Sequence, residues 1–156
     1  MNPCTYRHVA IIGAGPYGLA LAAHLRQREI PFRIFGRPME SWLRYMPEGM
    51  YLKSEGFASN IADPLGQCTL EAFCRLSGRA YGPYGEPVSI EAFAEYGLWF
   101  QRTVVPQVEE ADVRSVRAQE GCYEIVLSTG EMMRARRVVV AAGHAPYRYV
   151  PTVVRN

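Results

Sequence analysis

The alternation of apolar and polar positions near the amino terminus predicts a strand–helix–strand unit. An apolar run at residues 9–12 passes through three glycines into a stretch where small and apolar side chains recur at helical spacing as far as Arg26. Pro31 ends this helical region, and residues 32–35 form a second short apolar strand. Such a unit predicts two parallel strands joined by a right-handed crossover.

The middle of the chain gives a weaker pattern, because prolines and glycines interrupt residues 38–87. Two helices are predicted, at residues 69–76 with Thr69 as N-cap and at residues 89–100 with Ser89 as N-cap. A long irregular stretch inside a domain is usually functional or held by a ligand. Its aromatic side chains are more typical of a core or an interface than of a cofactor contact. Its polar candidates are Lys53 and Ser54.

The last third predicts an antiparallel meander. Its strands are predicted at residues 112–118, 123–128 and 132–142, and its turns contain Gly121 and Gly130. The last strand changes from polar to apolar midway, so we expect an exposed first half and a buried second half that ends at Gly143. Together with the amino-terminal unit, this predicts an α/β fold with a parallel sheet and a β-meander.

The glycines between the first strand and the helix predict a dinucleotide site. Gly13 permits the tight turn, Gly15 lets the backbone approach a pyrophosphate without a Cβ, and Gly18 allows close helix packing. At Pro16 and Tyr17 the helix begins, where unpaired N–H groups face an anion. The alternative is a glycine-rich turn that serves packing alone.

The end of the second strand departs from the usual dinucleotide pattern. An aspartate or glutamate usually binds the ribose hydroxyls there, but this chain has Gly36 followed by Arg37. By the ordinary rule Arg37 suggests a ribose 2′-phosphate. Glu40 is a candidate for the missing carboxylate.

Composition and charge narrow the range of partners. The chain has 156 residues, 49% of them hydrophobic, and a net charge of +2, which is typical of one domain with a real core. The densest basic cluster, at Arg134, Arg136 and Arg137, favours a solvated strand edge over a nucleic-acid patch. We therefore expect a small-molecule ligand and no nucleic acid.

Cysteine and histidine spacing gives no sign of a metal site or a catalytic group. The four cysteines contain no CxxC pair and are interpreted as reduced thiols, and the three histidines are scattered. No motif in the sequence assigns a catalytic role to any residue. The apolar run at residues 9–25 is too short for a membrane span and is broken by glycines and a proline. No signal peptide is recognised, so we expect a cytoplasmic protein that binds no membrane.

GAGPYG after the first strand, the three-strand meander and the ending VVVAAG resemble the FAD-binding domain of flavoproteins with two dinucleotide-binding domains. In particular they resemble flavin-containing and lysine/ornithine N-hydroxylating monooxygenases. The stretches RIFGRPMESW and MPEGMYLKS are similar to the region after the second strand in that group, with Trp42 in place of a recurring aromatic. The resemblance implies a Rossmann-like three-layer domain that binds FAD. It also implies cofactor contacts at Ala141, Ala142 and Gly143, and an adenine contact at the backbone of Val113.

Members of the group carry a second glycine-rich turn for NADPH and a carboxy-terminal segment that completes the flavin site. Neither is recognised after Gly143. We therefore expect residues 1–156 to be an incomplete FAD-binding domain, with NADPH bound only in a complete enzyme. A second domain or complementary subunit would then be its partner, and self-association is expected.

Three functions stay open on these grounds. The first is the FAD-binding segment of an NAD(P)H-dependent flavoprotein oxidoreductase, monooxygenase-like and inactive in isolation. The second is a non-catalytic nucleotide-binding or interaction module. The third is a small NAD(P)-dependent dehydrogenase, which Arg37 favours and the meander disfavours.

Overall fold

The computed structural model describes residues 9–144, 147 and 149–154. Cys4, which is one of the four cysteines, and His8, which is one of the three histidines, lie outside this part of the chain. The elements in chain order are β1 (Val9–Ile12), α1 (Pro16–Gln27), β2 (Phe32–Phe35), α2 (Glu40–Arg44), a 3-10 turn (Gly56–Ala58), α3 (Leu70–Ser77), α4 (Ile90–Val104), β3 (Val113–Gln119), β4 (Cys122–Leu127), β5 (Met132–Ala135), β6 (Arg137–Val140) and a second 3-10 turn (Thr152–Val154).

The first sheet is parallel and has the strand order β2-β1-β6. Val9 of β1 pairs with Phe32 on one side and with Arg137 on the other. The predicted strand–helix–strand unit is confirmed, with α1 as the connection between β1 and β2. The carboxyl ends of all three strands therefore lie at the same edge of the sheet.

The second sheet is the predicted antiparallel meander, in the order β3-β4-β5. The turn between β3 and β4 is made by Glu120 and Gly121, and Gly121 has a φ of +73°, which favours glycine. Val126 of β4 pairs with Met132 of β5, and Gly130 in the turn between them has a φ of +89°. Both turn predictions are confirmed.

The prediction of one continuous strand at residues 132–142 is wrong. The segment contains two strands that belong to different sheets, and Arg136 separates them. Ala135 pairs with Tyr123 in the meander, whereas Arg137 pairs with Val9 in the parallel sheet. The change from polar to apolar residues marks this point in the sequence, but an extended pattern does not record which partner a strand pairs with, so the pattern did not reveal the change of sheet.

The parallel sheet lies between the helices and the meander. On β1, Ile11 packs into the larger core with α1, α3 and α4, and Ala10 packs into a smaller core with the meander. Adjacent residues on β2 divide in the same way, Ile34 toward the helices and Phe35 toward Ile125 and Leu127 of β4. Because successive side chains point to opposite faces, both faces of the central strand are covered, which gives three layers.

The predicted helix starts are confirmed by their caps. The side chains of Thr69 and Ser89 accept hydrogen bonds of 3.1 Å from the N–H groups of Ala72 and Ala92, respectively. Helix α4 is longer than the helix predicted at residues 89–100, since it runs to Val104, shortly before Pro106. The sequence pattern of residues 38–87 did not predict α2, because a helix of five residues is too short to show a helical period.

Candidate functional site

A groove of about 880 Å³ opens at the carboxyl edge of the parallel sheet. Its lining comes from the ends of the three parallel strands, the start of α1, the start of α2, the segment before α3 and the start of β3. Ligands of open α/β sheets bind at this edge. The sequence-predicted site residues on the groove are Gly13, Gly15, Pro16, Tyr17, Gly36, Arg37, Glu40, Trp42, Ser54, Val113, Ala141, Ala142 and Gly143.

The glycine turn is wedged between the ends of β2 and β6. The Gly13 N–H donates to the carbonyl of Phe35 at 2.7 Å, and the Ala141 N–H donates to the carbonyl of Ile12 at 2.7 Å. Gly13 has a φ of +114°, and a Cβ built there would overlap the carbonyl of Ala141. A side chain at Gly13 is therefore excluded by both backbone conformation and space.

Gly15 and Gly18 have different reasons to be glycine. A Cβ at Gly18 would overlap the carbonyl oxygen of Gly13, and Gly18 is buried outside the groove lining. A Cβ at Gly15 would meet no atom within 4 Å, and its φ of −79° and ψ of −175° are open to any residue. The protein fold thus explains glycine at Gly18, while the space beside Gly15 belongs to the groove.

The first turn of α1 faces the same space. Pro16 occupies the start of the helix, and the Leu19 N–H donates to the Gly15 carbonyl at 2.9 Å. The amides before Leu19 have no intrahelical acceptor, and the helix dipole adds a partial positive charge at this end. Tyr17 lies on the groove rim with 87% of its surface exposed. This end of the helix is suited to an anion.

The position after β2 cannot easily carry the usual carboxylate. Gly36 has a φ of +122°, and a Cβ there would lie 3.4 Å from the backbone nitrogen of Ala14. An aspartate or glutamate at this position would be strained, which explains the departure found in the sequence.

Charged side chains cluster directly after Gly36. Arg37 donates from one terminal nitrogen to Glu40 at 3.1 Å and from the other to Asp112 at 3.4 Å. Arg44 lies 3.6 Å from the same oxygen of Glu40. The carboxylates of Asp112 and Glu40 raise the pKa of Arg37 above its usual value. Arg37, Glu40 and Asp112 all line the groove, and we refer to these three residues as the rim cluster.

Asp112 reaches this cluster because the chain before β3 runs along β2. The Glu109 N–H donates to the Ile34 carbonyl at 2.9 Å, and the Glu109 carbonyl accepts from the Gly36 N–H at 3.0 Å. The Asp112 carbonyl then accepts from the Ser128 N–H at 2.7 Å. Val113, the first residue of β3, follows on the groove lining.

The strand order places Ala141 and the residues after it on the opposite side of the glycine turn from Gly36. Trp42 also lines the groove, and its ring packs edge-on against Phe93 with centroids 4.7 Å apart. Ser54 lines the groove and shares a 2.8 Å hydrogen bond with Ser59. Lys53 is exposed and is absent from the lining, so the structure brings Ser54 to the groove without Lys53.

A buried tyrosine, which the sequence analysis did not single out, positions part of the lining. The Tyr96 hydroxyl accepts from the Ile61 N–H at 3.0 Å and donates to the Cys68 carbonyl at 2.7 Å. Burial raises the pKa of Tyr96, so it stays a neutral donor. These bonds hold the segment that brings Ser59, Asn60 and Ile61 to the groove. No local motif marks Ser59 or Asn60, whereas Asp112 could have been suspected from its place next to Val113.

The following statements concern residues 9–144, 147 and 149–154. No group of three or more histidine, cysteine, aspartate or glutamate side chains there could hold a metal ion. No helix in that range has the length and apolar character to cross a bilayer. Cys68 and Cys74 are thiols, as predicted, and burial raises the pKa of each.

The fold recurs in solved flavoprotein structures. A flavin-containing monooxygenase from Stenotrophomonas maltophilia matches with a TM-score of 0.71 at 21% identity, over 92% of this chain and 40% of that one. A bacillithiol disulfide reductase from Staphylococcus aureus matches with a TM-score of 0.69 at 18% identity, over 87% of this chain and 38% of that one. OTEMO in complex with FAD and NADP matches with a TM-score of 0.67 at 19% identity, over 92% of this chain and 26% of that one.

These likenesses establish the fold. The chain has the Rossmann-like three-layer architecture of FAD- and NAD(P)-binding flavoproteins, so the fold that the sequence resemblance implied is confirmed. The chain spans 26% to 40% of the length of the three structures. No protein-family model matches the chain, and no curated protein matches its sequence.

Proposed function

We propose that this chain is the FAD-binding portion of an NAD(P)H-dependent flavoprotein oxidoreductase of the monooxygenase type. The observation that carries the proposal is the contrast within the glycine turn. Gly13 and Gly18 are required by contacts inside the protein, whereas Gly15 borders open groove space next to the start of α1. A cradle that a Cβ at Gly15 would fill fits a pyrophosphate.

Different residues of the groove would bind different parts of the cofactor. The turn at Gly13 and Gly15 and the free amides of α1 would bind the pyrophosphate. Gly36, the rim cluster and Val113 would face the adenosine, since the end of the second strand is where a ribose usually lies. FAD would supply the redox chemistry, and these residues would bind and orient it.

Another part of the groove lining offers an apolar and hydrogen-bonding surface. Trp42, Leu52 and Phe93 line it together with the Ser54–Ser59 pair. Ala141, Ala142 and Gly143 approach the same groove from the end of β6. A lining of this mixed character suits a flat aromatic ring with polar edges, and it would shield that ring from water.

The sequence contains one turn of the GxGxxG form, from Gly13 to Gly18. Hydride transfer requires a nicotinamide held against the flavin, and positioning of this kind is worth roughly 7–11 kcal/mol. We therefore propose that NADPH binds in a complete enzyme through a second domain or a complementary subunit.

Calorimetric titration of the purified chain with FAD and with ADP tests the proposal. Both ligands should bind, because both carry the adenosine and the pyrophosphate. Gly15→Val should weaken both by at least tenfold with an unchanged Tm, since its Cβ meets no protein atom and Val suits the extended backbone before Pro16.

Ala118→Val is the matched control. Ala118 is exposed on β3 and lies outside the groove lining, so the added side chain should leave affinity unchanged. Wild-type affinity in a folded Gly15→Val variant would contradict the assignment of the groove.

A further inference from the structure

We propose that the rim cluster of Arg37, Glu40 and Asp112 makes the groove selective for an adenosine ribose without a 2′-phosphate. The inference rests on the proposed nucleotide-binding function and adds a ligand specificity to it. It reverses the expectation that Arg37 alone suggested in the sequence, where an arginine after the second strand favours a 2′-phosphate.

Arg37 is already paired on both sides. One terminal nitrogen lies 3.1 Å from Glu40 and the other lies 3.4 Å from Asp112. An arginine recognises a phosphate best when its fork is free to make two parallel hydrogen bonds. A 2′-phosphate would have to displace at least one carboxylate to obtain that geometry.

The charges at the rim are balanced. Arg37 and Arg44 carry two positive charges, and Glu40 and Asp112 carry two negative charges. Each ion pair among these four side chains has a nitrogen–oxygen distance of 3.6 Å or less. A phosphate monoester carries a charge of about −1.5 to −2 at neutral pH. It would enter a region without net positive charge and would lie close to two negative groups.

The same cluster can accept a hydrogen bond from a ribose hydroxyl. Both arginines contact Oε1 of Glu40, and within the described part of the chain Oε2 of Glu40 accepts no hydrogen bond. The Glu40 side chain is 24% exposed, compared with 44% for Arg37 and 58% for Asp112. Glu40 is therefore a positioned acceptor, in place of the carboxylate that the left-handed backbone at Gly36 disfavours.

Hydrogen bonds of its own backbone hold Asp112 in place. Its carbonyl accepts from the Ser128 N–H and its N–H donates to the Ser128 hydroxyl at 3.1 Å. The Glu109 bridge to β2 fixes the chain just before it. The carboxylate of Asp112 thus stays near Arg37 through contacts with the sheet and the meander.

The test compares ADP with its 2′-phosphorylated form by calorimetry at constant ionic strength. The wild-type chain should bind ADP at least tenfold more tightly than 2′-phospho-ADP. In the double variant Glu40→Gln/Asp112→Asn, Arg37 and Arg44 lose their partners, so this ratio should fall by at least tenfold. Glu71→Gln/Glu120→Gln removes two exposed carboxylates outside the groove and should leave the ratio unchanged.

Arg37→Gln should change the ratio of the two affinities in the opposite direction. It leaves the two carboxylates without the central cation, so the preference for ADP should increase. If the double variant does not fold, Asp112→Asn alone, at the most exposed member of the cluster, should still reduce the ratio at least threefold.

The outcomes separate this inference from the proposed function. ADP binding with a wild-type ratio near one, or a ratio that the rim variants and the control change equally, would overturn the selectivity while leaving the nucleotide site in place. Absence of binding by both nucleotides and by FAD would overturn the proposed function itself.

Discussion

The side chain of Met39 occupies the space that Gly97 leaves open on α4. A Cβ built at Gly97 would overlap the Cγ, Sδ and Cε atoms of Met39, which is fully buried. Met39 has a φ of +56°, and its N–H donates to the Ala14 carbonyl at 3.1 Å. This contact fixes the segment between β2 and α2, which carries Arg37 and Glu40 at the groove.

Gly97→Ala should therefore destabilise the protein by roughly 1–3 kcal/mol through overpacking. The displaced Met39 would shift Glu40, so ADP affinity should fall as well. Urea denaturation gives the free energy of unfolding, and calorimetry gives the affinity.

The double variant separates this contact from helix propensity. Glycine inside a helix is less favourable than alanine by about 0.5–1 kcal/mol. In a Met39→Ala background the overlap is removed, so Gly97→Ala should become stabilising by about that amount. The same destabilisation in both backgrounds would show that Met39 is not the group that Gly97 accommodates.

Arg33 joins the parallel sheet to the meander and gives stability a pH dependence. Its guanidinium donates to both carboxylate oxygens of Glu109, at 2.7 Å and 2.6 Å, and to Glu131 at 2.7 Å. The hydrogen bond from Arg33 lowers the pKa of Glu131 below its ordinary value of 4.5. This interaction stabilises the folded state above the ordinary pKa, and its contribution is lost as the pH falls through the lowered one.

Glu131→Gln should be less stable than the wild type at pH 7, and the difference should shrink as the pH falls below about 4.5. Urea denaturation of both proteins at a series of pH values from 7 to 3 measures it. Glu120→Gln, at an exposed turn position, is the control and should match the wild type throughout. A difference between Glu131→Gln and the wild type that does not change with pH would contradict the ion pair as its source.

The outer edge of the parallel sheet predicts self-association of the isolated chain. Within the described residues β6 pairs only with β1, and Val140 at its end is 64% exposed. Tyr147, Tyr149 and Val153 add exposed apolar surface after the strand, at 74%, 81% and 87%. Open edges and apolar patches promote association.

Light scattering over a range of concentrations should show a mass that rises with concentration. Val140→Lys should reduce that rise, because a lysine on an edge strand opposes edge-to-edge pairing. Tyr123→Lys is the control, since Tyr123 is exposed on β4, which has a strand on each side within the meander and is therefore not an edge strand. A constant monomeric mass for the wild type would contradict the prediction.

The sequence by itself determined the elements whose signals are local. Residues 9–12 and 32–35 are strands because short apolar runs end at glycine or proline, and Thr69 and Ser89 begin helices because their hydroxyls satisfy free amides of the first turn. The backbone conformations at Gly13, Gly121 and Gly130 were predictable for the same reason, because positive φ is accessible to glycine without a steric penalty.

The tertiary structure decided what depends on partners distant in sequence. The break at Arg136 follows from pairing with two different sheets, and a side chain's extended preference does not specify its partner. The net charge of the rim cluster likewise depends on Asp112, which lies 75 residues after Arg37. Asp112 reaches Arg37 because the segment at Glu109 runs along β2. The sequence pattern predicts that Arg37 binds a phosphate, but in the structure Arg37 is paired with Glu40 and Asp112. Electrostatic interactions depend on distance in space, which the sequence does not give.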